Sequence, residues 1–310
     1  MENSNNSFKF INTNEEKELD FKDILIKLND FNYVLGTFEI KGFKINRKYI
    51  HNYYDQSVKL YYTSIKYELP KESSTNNTAI NLNIPISKLC IIHGFGHHSS
   101  DFLEYALYMA KCNILVYLID LRGHGYSGGV RFDWSIQDLH QDIITLIKES
   151  EKEEYNLPLY LLGHSLGGGL VSSLFINNPY LQLQGIILSS PLLGCPIALP
   201  EDPFKSFILN NYGNKLKDLL VSGNINVSAL TKVDSELPKM INDAKNIPIC
   251  TPNSYRSIMK MYSRILENCR NFNLPCLIFH GDSDKITNHK HSIVFYENIR
   301  RYSININNSN

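Results

Sequence analysis

The chain has 310 residues, of which 43% are hydrophobic and 20% are charged, and its 31 basic and 31 acidic side chains leave a formal net charge of zero. This length and apolar content suffice to bury one large core plus a small insertion, whereas the balanced charge argues against a nucleic-acid partner. The N-terminus lacks the basic and apolar regions of a signal peptide, and no stretch is long enough to span a bilayer. We therefore expect a cytoplasmic protein.

The cysteines are scattered along the chain without C-x-x-C spacing, and two of them lie inside apolar, strand-like runs. This pattern is typical of buried free thiols rather than of disulfides or metal ligands. We predict neither a metal site nor a cofactor. The six residues are Cys90, Cys112, Cys195, Cys250, Cys269 and Cys276.

The first part of the chain divides into a polar arm and the edge of a sheet. Residues 1–30 are polar and rich in Asn, which predicts a loose arm ahead of a domain over residues 31–310. Residues 33–50 and 58–68 alternate apolar and polar side chains, as antiparallel strands at a sheet edge do. Residues 70–83 then read as a loop.

From Leu89 onward, apolar strands alternate with amphipathic helices, and this repetition predicts a mostly parallel sheet with helices on both faces, an α/β fold. The alternation stops between residues 192 and 253, which begin with a Pro-rich stretch and read as an insertion. The predicted buried strands are residues 88–93, 114–119, 158–163, 184–189 and 274–280.

The most informative segment is LYLLGHSLGGGLVSSLF at 159–175, where an apolar strand runs through Gly-His-Ser-Leu-Gly into a helix. This is the context of a nucleophile elbow, in which a sharp strand-to-helix turn presents a serine hydroxyl at the top of a parallel sheet. Ser165 is therefore the candidate nucleophile. The backbone N–H of the next residue, Leu166, is the first candidate donor for an oxyanion.

Three further motifs accompany the elbow: LCIIHGFG at 89–96, DLRGHGYSGG at 120–129 and HGDSD at 280–284. In order and spacing, the four motifs resemble the monoglyceride lipase and lysophospholipase branch of the α/β-hydrolase superfamily. The resemblance covers roughly residues 55–300. It implies the α/β-hydrolase fold, with a cap formed by about residues 192–253 inserted after the sixth strand and lying over the active site.

The resemblance also implies roles for individual residues. Phe95 supplies the second oxyanion N–H, and Asp284 is the triad acid, with Asp282 as the close alternative. His93 is expected to hold its loop by hydrogen bonds. The residues expected to organise the DLRGHG loop are Asp120, Arg122, His124 and Ser127.

The general base is the one catalytic group without a candidate at its expected place, because the resemblance puts the base, and the last strand and helix, beyond Asn310. His289 and His291 follow the acid, but they open the helix expected after the acid loop and read as exposed first-turn residues. His51, His140 and His164 lie in unsuitable positions. We therefore expect no imidazole within hydrogen-bond reach of Ser165, and little turnover.

On this basis the chain is expected to be a serine hydrolase that cleaves carboxylic esters of the monoacylglycerol or lysophospholipid type through an acyl-enzyme intermediate. Its partner is a small acyl ester substrate, with transient membrane contact through the cap. Two alternatives stay open. One is a pseudo-hydrolase that binds an acyl ligand without turnover, and the other is a peptidase of the same superfamily.

Overall fold

A computed structural model describes residues 35–68, 84–153, 155–197, 207–208, 219–223 and 225–307. The predicted polar arm, residues 1–30, and the predicted loop, residues 70–83, lie outside these ranges.

Eight strands form one sheet in the order β1-β2-β3-β5-β4-β6-β7-β10. The strands from β1 to β5 in this order pair antiparallel, and the remainder pair parallel. The predicted mostly parallel sheet with an antiparallel edge is thus confirmed. The strands are β1 (Gly36–Ile40), β2 (Phe43–His51), β3 (Lys59–Tyr67), β4 (Ser87–Ile92), β5 (Ile114–Ile119), β6 (Leu159–His164), β7 (Gly185–Ser189) and β10 (Cys276–Phe279).

Residues 33–50 contain two strands, because the chain reverses direction at Lys41 and Gly42. Both residues have left-handed backbone angles, with φ of 48° and 84°, as tight hairpin turns require. A side chain at Gly42 would lie 2.8 Å from the carbonyl oxygen of Glu68. In chain order, the insertion after β7 therefore follows the seventh strand.

Helices cover both faces of the sheet, as the alternation predicts. Leu89 and Ile91 of β4 belong to one buried cluster together with α1, whereas Cys90 and Ile92 belong to another together with α2 and α3. This alternation follows from the two-residue period of a strand. The helices are α1 (Leu103–Lys111), α2 (Ile136–Ser150), α3 (Leu166–Asn177), α4 (Leu237–Asn242), α5 (Pro252–Asn268) and α6 (His289–Asn307).

A buried ion pair anchors the loop after β5 to α2. The Arg122 guanidinium donates to Asp142 Oδ1 at 2.8 Å, and Asp142 is fully buried and also accepts from Asn52 Nδ2 at 2.8 Å. His124 Nδ1 lies 3.0 Å from the Arg122 carbonyl, and Ser127 Oγ donates to the Asp120 carbonyl. Removing one partner of such a buried pair costs about 3–5 kcal/mol. The predicted loop-organising roles of these residues are confirmed.

Between β7 and α5 the described residues form only small elements. Val221–Ser222 (β8) and Ile249–Cys250 (β9) pair antiparallel, and α4 lies between them in the chain. In the described ranges, no helix combines the length and the apolar character needed to cross a membrane.

Candidate active site

The turn between β6 and α3 places Ser165 in a strained conformation, with φ of 54° and ψ of −118°. Such a conformation in a non-glycine residue costs of order 1–3 kcal/mol and persists only when its surroundings hold it. Here the Ser165 N–H donates to the Ser189 carbonyl at 3.0 Å, and the Ser165 carbonyl accepts from Leu192 N at 2.9 Å. Two neighbouring backbone segments therefore hold the serine at the carboxyl end of β6.

The elbow also depends on two glycines that allow backbone to touch backbone. A Cβ atom at Gly163 would overlap the Gly167 carbonyl, and one at Gly167 would overlap the Ile92 carbonyl. Helix α3 thus packs directly on the ends of β6 and β4, and no larger residue fits at either position.

The two predicted oxyanion donors lie on segments that meet at the serine. Leu166 is the first residue of α3, where N–H groups have no acceptor within the helix. Phe95 follows Gly94, whose Cβ would lie 3.1 Å from Ser165 Cβ, so the loop after β4 passes directly against the serine. Phe95, Ser165 and Leu166 line one cavity. The arrangement can present two backbone N–H groups to a carbonyl oxygen.

Asp284 lies in a turn after β10 that stabilises its charged form. Asp284 Oδ1 accepts from the backbone N–H groups of Ile286 at 2.7 Å and Thr287 at 3.0 Å, and Oδ2 accepts from Thr287 Oγ1 at 2.9 Å. Burial opposes this by favouring the neutral acid, but the hydrogen bonds outweigh it and the pKa of Asp284 falls below its usual value. Asp282, by contrast, is exposed, which favours Asp284 as the acid.

Two cavities meet at Ser165. One, of 280 Å³, lies between Ser165 and Asp284 and is also lined by residues 229–232. The other, of 60 Å³, is lined mainly by apolar side chains. By the measure in which one water-sized group needs roughly 10–15 Å³, the apolar cavity takes roughly four to six such groups, the size of a short acyl chain. Its apolar lining includes Leu192, Pro196, Val221, Ile225, Tyr255, Ile258, Met259 and Ile286.

No described histidine forms a hydrogen bond with Ser165 Oγ, as the sequence predicts. His164 Nδ1 lies 3.0 Å from Ser189 Oγ instead. The His291 ring packs against Gly194, where a Cβ atom would lie 2.5 Å from His291 Nδ1. Both His289 and His291 lie on the first turn of α6 and are half-buried rather than exposed, because that turn packs against neighbouring loops.

His280 is the imidazole beside Asp284, a neighbour that our sequence interpretation missed. His280 Nε2 lies 3.3 Å from Asp284 Oδ2, and His280 Nδ1 lies 2.8 Å from Ser292 Oγ. Burial lowers the pKa of this imidazole. With both nitrogens engaged, His280 ties the acid turn to α6. The four-residue spacing of His and Asp in HGDSD could have indicated this contact.

His93 and Asp120 support the loops around the site. His93 Nε2 accepts from Leu121 N at 3.0 Å and Nδ1 lies 2.9 Å from the Gly94 carbonyl, while burial lowers the pKa of His93 to about 3. Asp120 accepts from Ser99 N at 2.7 Å and from Tyr126 N at 2.8 Å. The predicted structural role of His93 is confirmed, as is that of Asp120.

One group of side chains in the described ranges has donor atoms close enough to hold a metal ion, those of His98, Asp101 and Asp243, which lie within 4.8 Å of one another. His98 Nε2 is already 2.8 Å from Asp243 Oδ2, and Lys245 Nζ lies 3.0 Å from Asp243 Oδ1. Because these cationic groups already occupy the Asp243 carboxylate, the geometry is that of an ion-pair cluster. None of the six cysteines forms a disulfide; Cys90, Cys250 and Cys269 are buried as predicted, whereas Cys112 is exposed and Cys195 and Cys276 are half-buried.

Comparison with known proteins places this geometry in a family context. The family profile described as serine aminopeptidase, S33, matches residues 84–307. A Schizosaccharomyces pombe protein assigned by name to the monoglyceride lipases is 28% identical over 228 residues, which is 69% of this chain and 58% of that protein. Human monoglyceride lipase is 26% identical over 222 residues, 69% of this chain and 70% of the human protein.

A crystal structure shares the fold at lower identity. A soluble variant of monoglyceride lipase from Saccharomyces cerevisiae, solved with a substrate analog, superposes with a TM-score of 0.65 at 17% identity and covers 81% of each chain.

Replacing Gly167 by Ala tests the backbone packing of the elbow. We expect Gly167→Ala to lower the free energy of unfolding by about 2 kcal/mol or more, because the added methyl group overlaps a carbonyl oxygen that cannot move independently. Gly281→Ala is the matched control, since a Cβ atom there meets nothing within 4 Å. Urea denaturation measures both, and equal stabilities of the two variants would contradict the packing argument.

Proposed function

We propose that this chain, which belongs to the family described as serine aminopeptidase, S33, is a serine hydrolase that cleaves carboxylic esters of the monoacylglycerol or lysophospholipid type. One observation carries the proposal: Ser165 lies in a strained elbow between an apolar cavity and a cleft shared with Asp284. Relatives named as monoglyceride lipases support the ester as substrate class. The match covers 58% of the length of the Schizosaccharomyces pombe relative.

In the proposed reaction, Ser165 Oγ attacks the ester carbonyl while its proton passes to a general base. The N–H groups of Phe95 and Leu166 donate to the oxygen that becomes negative. The base then protonates the leaving alcohol, and an acyl ester of Ser165 remains. Water, deprotonated by the same base, hydrolyses that ester and releases the fatty acid.

No described histidine bonds Ser165 Oγ, so in this proposal the general base is an imidazole that occupies the 280 Å³ cavity between Ser165 and Asp284. A base there can accept the Ser165 proton on one side and be oriented by the Asp284 carboxylate on the other, which is the arrangement that an imidazole needs. The lowered pKa of Asp284 supports this role, since the carboxylate stays charged at neutral pH.

The segment 192–253 acts in this proposal as a cap that binds the acyl chain and meets lipid surfaces. It contributes Val221, Gly223 and Ile225 to the apolar cavity beside Ser165. Large apolar side chains on it are exposed to solvent, as expected of a surface that contacts lipid. These are Ile197, Phe207, Leu219, Leu220, Val233 and Ile241. A cytoplasmic location belongs to the same proposal.

Two other functions have specific support. A pseudo-hydrolase that binds an acyl ligand is favoured by the absence of any imidazole bonded to Ser165 Oγ among the described residues. A peptidase is favoured by the name of the matched family. Turnover of a chromogenic acyl ester separates the first from our proposal, and turnover of an aminoacyl anilide separates the second.

Ser165→Ala tests the nucleophile. We expect turnover of a short-chain acyl ester to fall roughly a thousandfold or more while the fold is retained, because the change removes the attacking oxygen but little volume. Ser263→Ala, which removes an exposed hydroxyl on α5, serves as the control and should leave turnover unchanged. Equal activity of Ser165→Ala and the unmodified protein would exclude Ser165 as the nucleophile.

Added imidazole tests the base cavity. We expect turnover of the same ester to rise with imidazole concentration and then to saturate. Saturation follows because imidazole binds at a single site between Ser165 and Asp284, and this site becomes fully occupied. Imidazole also hydrolyses esters in solution, so Ser165→Ala with imidazole is the control, and its rate should rise linearly without saturation. Identical concentration dependence in both proteins would contradict a base site at this cavity.

Met259→Ala tests the acyl cavity. Met259 lines the apolar cavity from α5, so its truncation lengthens the space for the chain. We expect kcat/KM for longer esters to rise relative to that for short ones, by about fourfold per newly buried methylene, from a transfer free energy of about 0.8 kcal/mol each. Lys260→Ala, at the exposed neighbouring position, should leave the profile unchanged. An unaltered profile in Met259→Ala would place the acyl chain elsewhere.

A further inference from the structure

Residues 243–248 of the segment after α4 lie directly against the loop that carries Phe95. The Ile247 N–H donates to the Gly96 carbonyl at 2.9 Å. Gly96 has a φ of +73°, and a Cβ atom there would lie 2.6 Å from Pro248 Cα. Backbone thus contacts backbone one residue after Phe95, and the position of the loop depends on that of residues 247–248.

The same segment touches the other side of Phe95 through Gly223. The Gly223 N–H donates to the Pro248 carbonyl at 2.7 Å, and a Cβ atom at Gly223 would lie 2.8 Å from the Phe95 ring. The Phe95 ring therefore packs against the end of β8, so a shift of that strand would displace the Phe95 side chain.

One side-chain contact joins these two segments by charge. His98 Nε2, at the end of the Phe95 loop, lies 2.8 Å from Asp243 Oδ2, and only 1% of the His98 side chain is exposed. Lys245 Nζ lies 3.0 Å from the other oxygen of Asp243. A charge-assisted hydrogen bond to a buried imidazole is stronger than one in water, because water does not compete for the His98 nitrogen.

We propose that the His98–Asp243 ion pair is a clamp that holds residues 243–248 against the Phe95 loop, which makes both of them positioning residues for the oxyanion donor. The effect on catalysis rests on the proposed function, in which Phe95 N–H stabilises the oxyanion. The contact between residues 243–248 and the Phe95 loop does not depend on catalysis, so it can be measured without turnover.

The charges around His98 make the clamp sensitive to pH above 6.5. Burial acts to lower the pKa of His98, but the hydrogen bond to Asp243 and the charges of Asp101 and Asp120 outweigh it, so the pKa lies above its ordinary value of 6.5. A group with a raised pKa contributes stability that is complete below 6.5 and is lost as the pH rises through the folded-state pKa.

The remaining charged and titratable groups of this cluster do not reverse that direction. His97 Nδ1 pairs with Asp101 Oδ2 at 2.7 Å, and Lys245 pairs with Asp243. Buried His93, on the same loop, has a pKa lowered to about 3 and stays neutral. The pKa of Asp243 is lowered despite partial burial, chiefly by the bond from His98, so its carboxylate stays charged. The clamp is therefore complete below pH 6.5 and weakens as the pH rises through the pKa of His98.

Trp134 provides a direct reporter because it is the single tryptophan of the chain. Its ring centroid lies 6.3 Å from that of Phe95 and 5.6 Å from that of His124. The pKa of His124 is lowered to about 3 by burial, so His124 does not titrate near neutral pH. A change in Trp134 emission above pH 6.5 thus reports movement next to Phe95.

The test is a pH titration of Trp134 fluorescence in the full chain. We expect the unmodified protein to show one transition above pH 6.5. Asp243→Asn and His98→Gln should each show, already below pH 6.5, the emission that the unmodified protein reaches only after this transition. Asp243→Glu keeps the charge and should retain the transition.

Two control variants remove nearby charges without breaking the clamp. Glu236→Gln removes the exposed Glu236–Lys239 pair at the N-terminus of α4. His97→Gln removes an imidazole that pairs with Asp101, four residues further along the chain. Both should titrate like the unmodified protein. The clamp is refuted if Asp243→Asn keeps the fluorescence transition of the unmodified protein, whether or not His97→Gln keeps it.

Amide exchange keeps the test decisive if the variants fail to fold. In the unmodified protein, the exchange of the Ile247 N–H should accelerate beyond its intrinsic pH dependence at the pH of the fluorescence transition. Unchanged protection across that pH would overturn the proposal.

Activity provides the last comparison. Since losing an oxyanion donor costs about 10²–10³ in kcat, a displaced donor in Asp243→Asn should lower kcat on a short-chain ester about tenfold with little change in KM. If the unmodified protein has no turnover even with added imidazole, the proposed function fails, while the fluorescence and exchange results still decide the clamp. If Asp243→Asn shows the expected fluorescence change but an unchanged kcat, the clamp exists but does not position the oxyanion donor.

Discussion

The close approach of backbone to backbone at Ser165 is the constraint on which the rest of the site depends. Gly163, Gly167 and the end of β4 meet without intervening side chains, so α3 starts directly on the sheet. The left-handed conformation of Ser165 is the consequence, and the bonds to Ser189 and Leu192 hold it. The strain is local, and the surrounding parallel sheet supplies the rigidity that sustains it.

Parallel strands end at one edge of the sheet, and this explains why distant segments meet there. The loop after β4 carries Phe95, the turn after β6 carries Ser165, and the turn after β10 carries Asp284. Two kinds of support keep these loops in place. Charged or polar side chains such as Asp120 and His93 satisfy loop N–H groups, and the Arg122–Asp142 pair fixes the next loop to α2.

The described part of the segment between β7 and α5 contacts the same edge through backbone hydrogen bonds and an ion pair. Its described residues include small strands, a short helix and many exposed apolar side chains. Its attachments to the Phe95 loop include the Ile247–Gly96 backbone bond and the His98–Asp243 pair. Gly223, which lines the apolar cavity, also lies against the Phe95 ring, so the cavity wall and the Phe95 loop are in direct contact.

Sequence alone determined the features whose signal is local. The strand–Gly-x-Ser-x-Gly–helix pattern located the elbow at Ser165, and strand periodicity located the parallel sheet to within a few residues, because both arise from backbone geometry within a short window. The order of the four motifs indicated the superfamily. The hairpin within residues 33–50 was missed because its turn, Lys41-Gly42, interrupts the alternation by only two residues.

Tertiary structure decided the contacts between residues far apart in the chain. His98 meets Asp243 across 145 positions, and no periodicity in either segment records that contact. The hydrogen bonds that distinguish Asp284 from Asp282, and the placement of His280 against the acid, depend on how one turn folds back on itself and on α6. Local pattern fixes which backbone conformation a segment takes, whereas hydrogen bonds and burial between segments depend on the packing of the whole chain.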